Sequence, residues 1–279
     1  MSHITRHKIN DKFVYKCNEK IIKDPQSLER IRKLAIPPMW TNVIIFKNEN
    51  SKLQATGNDT KGRKQYIYHK DFIEKSKILK FDKLKTFDYN KYSKVIKHYI
   101  KKCDLSKECV IANIIKIMED LNIRVGNESY KKENGSYGIT TLLKKHHKNN
   151  VLTFVGKKGI AHIKYITNPN SISFIKRVLS IKGPNLFYYY PNKTITSSDL
   201  NTFLKEKVQN NITCKDIRTY CANKIFVNFM GKLKKPNTEK ERKANVIKGI
   251  DYTANELGNT RKICKDSYLC PKNINKFLN

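Results

Sequence analysis

Two hydrophobic rhythms divide the chain. Up to about residue 75, apolar positions come in short β-branched and aromatic runs set off by turn residues, which predicts strands. Phe13-Val14-Tyr15 is one such run, and Asp24-Pro25 then supplies an N-cap and first-turn proline for a short helix through Lys33. Trp40 to Phe46 predicts a strand closed by a turn at Asn48-Glu49-Asn50. Leu53-Gln54-Ala55-Thr56 follows, then a loop from Gly57 to Gly62 and a last strand, Gln65-Tyr66-Ile67-Tyr68-His69. Residues 70–86 alternate Lys with Phe, Ile and Leu without a clear period, and a hinge is expected there. The expected organisation is a β-rich domain over 1–75, a linker over 76–86 and a mainly helical domain over 87–279.

From Asp88 the period becomes helical. Ser106 caps a segment whose Val110, Ile111, Ile114, Ile115, Met118 and Leu121 form one core stripe, ending at Asn122-Ile123-Arg124-Val125-Gly126. Gly138 to Leu143 and Val151 to Val155 read as strands. The second turns through Gly156-Lys157-Lys158-Gly159 into Ile160 to Ile166, a hairpin with a lysine pair at its tip. The run Lys144-Lys145-His146-His147-Lys148 reads as a solvated loop. A helix over Ile172 to Leu179 precedes an aromatic segment, Phe187 to Tyr190, bracketed by Pro184 and Pro191. Ser197-Ser198-Asp199 reads as the next cap. Thr213 and Asp216 have capping-box spacing, which puts Lys215 and Arg218 near a helix start suited to a phosphate. Thr238 and Glu241 repeat the spacing for a helix with Ala244, Ile247, Ile250, Ala254 and Leu257 inward, ending at Gly258-Asn259.

Charge then narrows the class. Lys and Arg number 57 against 24 acids, a net charge of +33. Such a surplus repels itself unless a polyanion screens it, and nucleic acid is the natural partner, with affinity falling as salt rises. An anionic membrane surface or a ribosomal assembly is the other reading of charge alone. No apolar run approaches the roughly 18 residues of a spanning helix, and no signal-peptide pattern opens the chain. A soluble, intracellular protein is expected. The seven cysteines (17, 103, 109, 214, 221, 264 and 270) include no Cys-x-x-Cys pair, so reduced, mostly packed thiols and no metal site are expected.

Within Gly258 to Tyr268, one tyrosine stands among Arg261, Lys262 and Lys265 after a helix break. A phenol with a pKa of about 10 is a poor nucleophile unless cations stabilise the charge it develops. All histidines lie at or before His162, so Tyr268 has no imidazole near it in sequence. The ordered set Arg124, Lys157, Arg218, Asn259 and Tyr268 fits attack of a tyrosine oxygen on a phosphodiester. Two arginines would clamp the nonbridging oxygens, Asn259 would donate to one of them, and Lys157 would protonate the departing 5′-oxygen. Asn259 also reads simply as a helix cap, and Lys158 competes with Lys157. In the first part of the chain, Arg63, Lys64, Gln65, Tyr66 and Tyr68 interleave cations, an amide and aromatics. That mixture suits phosphates, an adenine edge and sugar or base packing. Tyr130 and Lys215 complete the candidate DNA contacts.

These motifs resemble those of small, poxvirus-like type IB DNA topoisomerases. The resemblance rests on Ala35-Ile36-Pro37-Pro38-Met39-Trp40 with Gly62 to Tyr68, and on Arg124 in Ile-Arg-Val-Gly and Lys157 in Phe-Val-Gly-Lys. Arg218 in Lys-Asp-Ile-Arg-Thr and Tyr268 in Lys-Asp-Ser-Tyr complete it. It implies an α+β protein, a β-rich domain and a mainly helical catalytic domain closing as a clamp on duplex DNA, the strand after Gly62 entering the major groove. It further implies single-strand cleavage, strand rotation and religation. Because the 3′-phosphotyrosine keeps the energy of the broken bond, neither metal nor nucleotide cofactor is expected, and a monomer is expected because one chain contains every catalytic part. A large-virus origin would place it in a viral factory or virion. One departure stands out: the family commonly has histidine nine residues before the tyrosine, where this chain has Asn259. Tyrosine recombinases share the Arg, Lys, Arg, Tyr layout, but usually carry histidine where Lys215 stands. A basic protein that coats or bends DNA without catalysis would explain the charge and leave the ordered set a coincidence.

Overall fold

The structure, a computed structural model, describes residues 3–102 and 104–278 and divides into two compact units, the division falling between Asp82 and Lys83. Cys103, among the expected packed thiols, lies outside the described residues. The first unit is built on an antiparallel six-stranded sheet: β1 His3–Ile9, β2 Lys12–Cys17, β3 Lys20–Ile21, β4 Thr41–Phe46, β5 Leu53–Asn58 and β6 Lys64–Tyr68. The strand order is β3-β2-β1-β4-β5-β6, which leaves β6 at an edge. Helix α1 (Pro25–Lys33) starts where Asp24 accepts from the Ser27 amide, and it buries Ile31 with Ile4, Val43, Ile45 and Ala55. Arg30 on this helix donates to the carbonyls of Phe46 and Lys47 and to Gln54, so the turn after β4 is pinned from below.

Residues 70–85 are a helix, α2 (Lys70–Lys85), where the sequence predicts a hinge. The lysines, leucines and glutamate of this stretch are good helix formers whatever their phase, and propensity rather than amphipathicity carries the element. Its last turn is fastened: Lys83 reaches Asp216 at 2.6 Å.

The second unit runs through α3 Tyr89–Lys102, α4 Lys107–Leu121, α5 Glu128–Asn134, β7 His147–Lys148, β8 Val151–Val155 and β9 Ala161–Tyr165. It continues with α6 Pro169–Leu179, β10 Tyr188–Tyr189, β11 Lys193–Thr194, α7 Ser197–Phe203, α8 Cys214–Gly231, α9 Glu239–Leu257, α10 Arg261–Ser267 and α11 Pro271–Asn275. Gly138 to Leu143 holds a 3₁₀ turn, Ile139–Thr141, instead of a strand, a short apolar run whose burial alone does not choose between the two. Lys144 is not a solvated loop cation; its ammonium bonds the carbonyls of Leu179 and Ile181. Thr196, one residue before the expected cap, is the N-cap of α7, with Asp199 accepting from its amide and hydroxyl. In α9, Ala244 and Ile247 are exposed while Val246, Gly249, Ile250, Thr253, Ala254 and Leu257 face inward.

Two hydrophobic clusters make up this unit, and α8 belongs to both. Ile217 and Cys221 pack with α3, α4, α6 and α7, whereas Ala222, Phe226 and Met230 pack with α9, α10 and α11. Arg218 therefore sits at the seam, on a helix whose start is fixed by Asp216 accepting from the Thr213 amide and hydroxyl. No helix of the described residues is long and apolar enough to cross a membrane.

Candidate active site

Arg218 is 6% exposed, and among the described residues no carboxylate pairs with it. Its guanidinium instead donates to the carbonyl of Asn122, the left-handed cap of α4, and to that of Leu257 at 2.5 Å, the last residue of α9. Two helix C-termini thus converge on one cation, and their negative dipole ends stand in for an acid. Burial still lowers the Arg218 pKa from its ordinary value, with the Tyr268 oxygen acting to raise it and Arg124 to lower it further.

Arg124 lies two residues beyond Asn122, the α4 cap, and its carbonyl accepts from the Ile139 amide at 2.8 Å. Gly126 has φ +93°, and a methyl on Gly138 would collide with Gly126 and the Arg124 carbonyl. The two glycines let these chains cross in contact, which is the physical content of the Ile-Arg-Val-Gly motif. The arginine side chain donates to Oδ1 of Asn259 at 2.5 Å.

Asn259 is held by a Schellman turn at the end of α9. Gly258, at φ +58°, donates to Asn255 at 3.0 Å and Asn259 donates to Ala254 at 2.8 Å. The backbone of Asn259 thus serves the cap while its side chain faces Arg124, so the two sequence readings coexist. Its Nδ2 is buried with no hydrogen-bond partner among the described residues, as is Nε of Arg218. Buried donors without protein acceptors at one spot are what an oxyanion site requires.

Tyr268 closes α10, whose first turn is capped by Thr260, and is 9% exposed. Of the cations adjacent in sequence, Arg261 pairs with Asp251 at 2.5 Å, and Lys262 and Lys265 are exposed. The nearby cations are Arg218, whose guanidinium carbon lies 5.4 Å from the ring centroid, and Arg124, and both favour the charged form of the phenol. Burial alone would raise the Tyr268 pKa, but the two guanidinium groups reverse this and the net displacement is downward. The arrangement stabilises a phenolate-like oxygen.

Asn223 on α8 is a residue that sequence reading missed. It donates to the Tyr268 carbonyl at 2.8 Å and accepts from the Cys270 amide at 2.8 Å, clamping the chain on both sides of Leu269. His162 was also missed. It lies far from Tyr268 in sequence, yet its ring packs against Gly258, and burial followed by Lys164, Arg124 and Arg218 lowers its pKa to about 4.

Lys157 stands exposed at the tip between β8 and β9, with its ammonium 6.0 Å from the ring centroid of Tyr130. Lys158 beside it adopts φ 65°. Lys215 is exposed in the first turn of α8, one turn before Arg218.

In the first unit, alternation along β6 places Lys64, Tyr66 and Tyr68 on one exposed face, the two rings stacked at 6.1 Å. Gln65 points to the other face and donates to Asp59 at 3.0 Å. Asp59 also receives Nε of Arg63 at 2.9 Å and the amides of Lys61 and Arg63; these bonds, with the Arg63 side chain foremost, pull its carboxyl down to about 2. Asp59 thus shapes the loop that carries the basic residues.

Comparison with known proteins gives the family. Residues 69–278 match the family of the eukaryotic DNA topoisomerase I catalytic core, and residues 12–59 match the bacterial DNA topoisomerase IB N-terminal domain. The chain is 34% identical to DNA topoisomerase 1B of Acanthamoeba polyphaga mimivirus, over its whole length and 88% of the relative. It is 28% identical to DNA topoisomerase 1B of vaccinia virus, strain Copenhagen, over 88% of this chain and 80% of that one. It is 27% identical to DNA topoisomerase 1 of rabbit fibroma virus, over 86% and 78%. A β-sheet unit followed by a helical unit, with the family match running through the residues gathered around Tyr268, establishes that the chain belongs to the type IB DNA topoisomerase family.

Proposed function

We propose that the protein relaxes supercoiled duplex DNA by transient cleavage of one strand, with Tyr268 as nucleophile. The observation that carries this is the placement of the Arg218 guanidinium 5.4 Å from the buried Tyr268 ring, with Arg124 bonded to Asn259 close by, so that both cations favour the phenolate. The tyrosine oxygen attacks phosphorus and loses its proton to water. The bond to the 5′-oxygen breaks, and Lys157 gives that oxygen a proton. Arg124, Arg218 and Nδ2 of Asn259 take up the charge on the nonbridging oxygens. The free end rotates, and the 5′-hydroxyl reverses the reaction. Because the phosphotyrosine keeps the energy of the broken bond, one monomeric chain, acting inside the cell, needs neither nucleotide nor metal.

The protein is expected to relax supercoiled plasmid in EDTA without ATP and to leave a denaturation-resistant protein–DNA adduct. Binding without relaxation or adduct would instead favour a DNA-coating role. On the first unit, Arg63, Lys64, Tyr66 and Tyr68 contact duplex, with Gln65 seated behind them, while Tyr130 and Lys215 contact it on the second. Lys64→Ala should weaken binding uniformly across sequences and reduce the slope of log affinity against log salt by about 1. An unchanged slope, measured by titration across salt concentrations, would remove Lys64 from the phosphate contacts.

A further inference from the structure

Strand β9 presents Ala161, Ile163 and Tyr165 outward, and turns His162 and Lys164 inward. Both inward residues meet the C-terminal end of α9. Lys164 donates to the Glu256 carbonyl at 2.9 Å, in the last turn, where a helix favours a cation. His162 does something different. Its ring stacks on Phe154 with centroids 5.0 Å apart and planes 21° from parallel. A methyl placed on Gly156 would fall 2.6 Å from its Nε2, and one placed on Gly258 would overlap its Cε1. The imidazole therefore fills the space between two glycines from distant parts of the chain. Gly156 immediately precedes Lys157, and Gly258 immediately precedes Asn259.

We propose that His162 is a positioning residue, a wedge that sets the separation between the hairpin tip bearing Lys157 and the helix cap bearing Asn259. The two glycines are the sockets in which the wedge sits. Its low pKa, set by burial and then by Lys164, Arg124 and Arg218, keeps the ring neutral, so it adds no further cation to the pocket. Removing the ring frees the hairpin to settle toward α9 and moves the ammonium of Lys157 off the departing oxygen. A displacement of about 1 Å in a catalytic group costs up to about 100-fold in rate. The proposal rests on Lys157 as the acid.

The test compares single-turnover cleavage of duplexes that have either an ordinary 5′-oxygen or a 5′-bridging sulfur as leaving group. A thiolate departs without a proton, so loss of the acid is masked on the sulfur substrate. His162→Ala should cleave the oxygen substrate about 10- to 100-fold more slowly with DNA binding unchanged, and should recover most of the loss on sulfur. Gly156→Ala, which pushes the ring from the other side, should give the same pattern and serves alone if His162→Ala fails to fold. In the double variant the added methyl has no ring to meet, so Gly156→Ala should slow the His162→Ala protein little further. Wild-type rates, or equal slowing on both substrates, would overturn the proposal. Lys157→Ala separates the two readings: if it is rescued by sulfur and His162→Ala is not, only the positioning role falls. If Lys157→Ala is itself not rescued, the acid assignment falls and takes the wedge's purpose with it.

Discussion

Tyr268→Phe is expected to bind duplex DNA as the wild type does, yet to leave supercoiled plasmid unrelaxed and yield no adduct. The substitution removes a single oxygen. The ring keeps its place 5.4 Å from the Arg218 guanidinium and its packing beside Cys264 and Leu269. Asn223 holds the backbone at Tyr268, so the segment retains its course. The loss should therefore appear in chemistry alone, and by at least about 10⁴-fold, as for other removed nucleophiles. Plasmid relaxation and denaturing electrophoresis of labelled DNA read it directly. An adduct formed by the phenylalanine protein would show that another hydroxyl attacks the phosphate.

Arg218→Ala is expected to slow single-turnover cleavage by about 10³-fold while duplex binding stays nearly intact. One transition-state donor is worth about 10²- to 10³-fold, and this one also lowers the Tyr268 pKa. The same change orphans the carbonyls of Asn122 and Leu257, so some loss of stability accompanies it. Arg218→Lys separates the two effects. It keeps a charge near the tyrosine, but one ammonium does not reproduce the planar fork that spans two helix ends and a phenolic oxygen. An intermediate rate is expected, with circular dichroism confirming the fold of each variant. Lost binding with unchanged chemistry would refute the role given to Arg218.

The elements legible in the sequence were those with local punctuation. Asp24-Pro25, Ser106, Thr213 with Asp216, Thr238 with Glu241 and Gly258 each mark a helix boundary that the structure contains. What escaped was decided by tertiary partners. Helix α2 has no apolar stripe for a periodicity argument to find. The phase of α9 differs from the sequence expectation near its start, because Ala244 and Ile247 are apolar yet face solvent while Val246 turns inward. The five residues read as catalytic are divided by where the fold places them. Arg124 is hydrogen-bonded to Asn259 and Arg218 lies against the Tyr268 ring, while Lys157 stands exposed on its hairpin tip. The electrostatics of the site were not legible. Nothing in Lys-Asp-Ile-Arg-Thr says that two helix ends will serve as counter-charge for Arg218, or that Arg261 and Asp251 will pair and leave Tyr268 to distant arginines. Absence of a later histidine was no guide to surroundings, since His162 arrives through the hairpin.

The convergence of α4 and α9 on Arg218 has a wider consequence. Dipole ends supply only about half an elementary charge each, and a second guanidinium stands beside the first. The resting pocket is therefore under-neutralised, and a phosphodiester arriving there completes a circuit that the polypeptide leaves open. Folding alone gives a less settled molecule than folding on substrate does, because any anion that occupies the pocket favours the native state over the unfolded one by mass action. The enzyme holds part of its own cohesion in reserve for the moment when DNA is present.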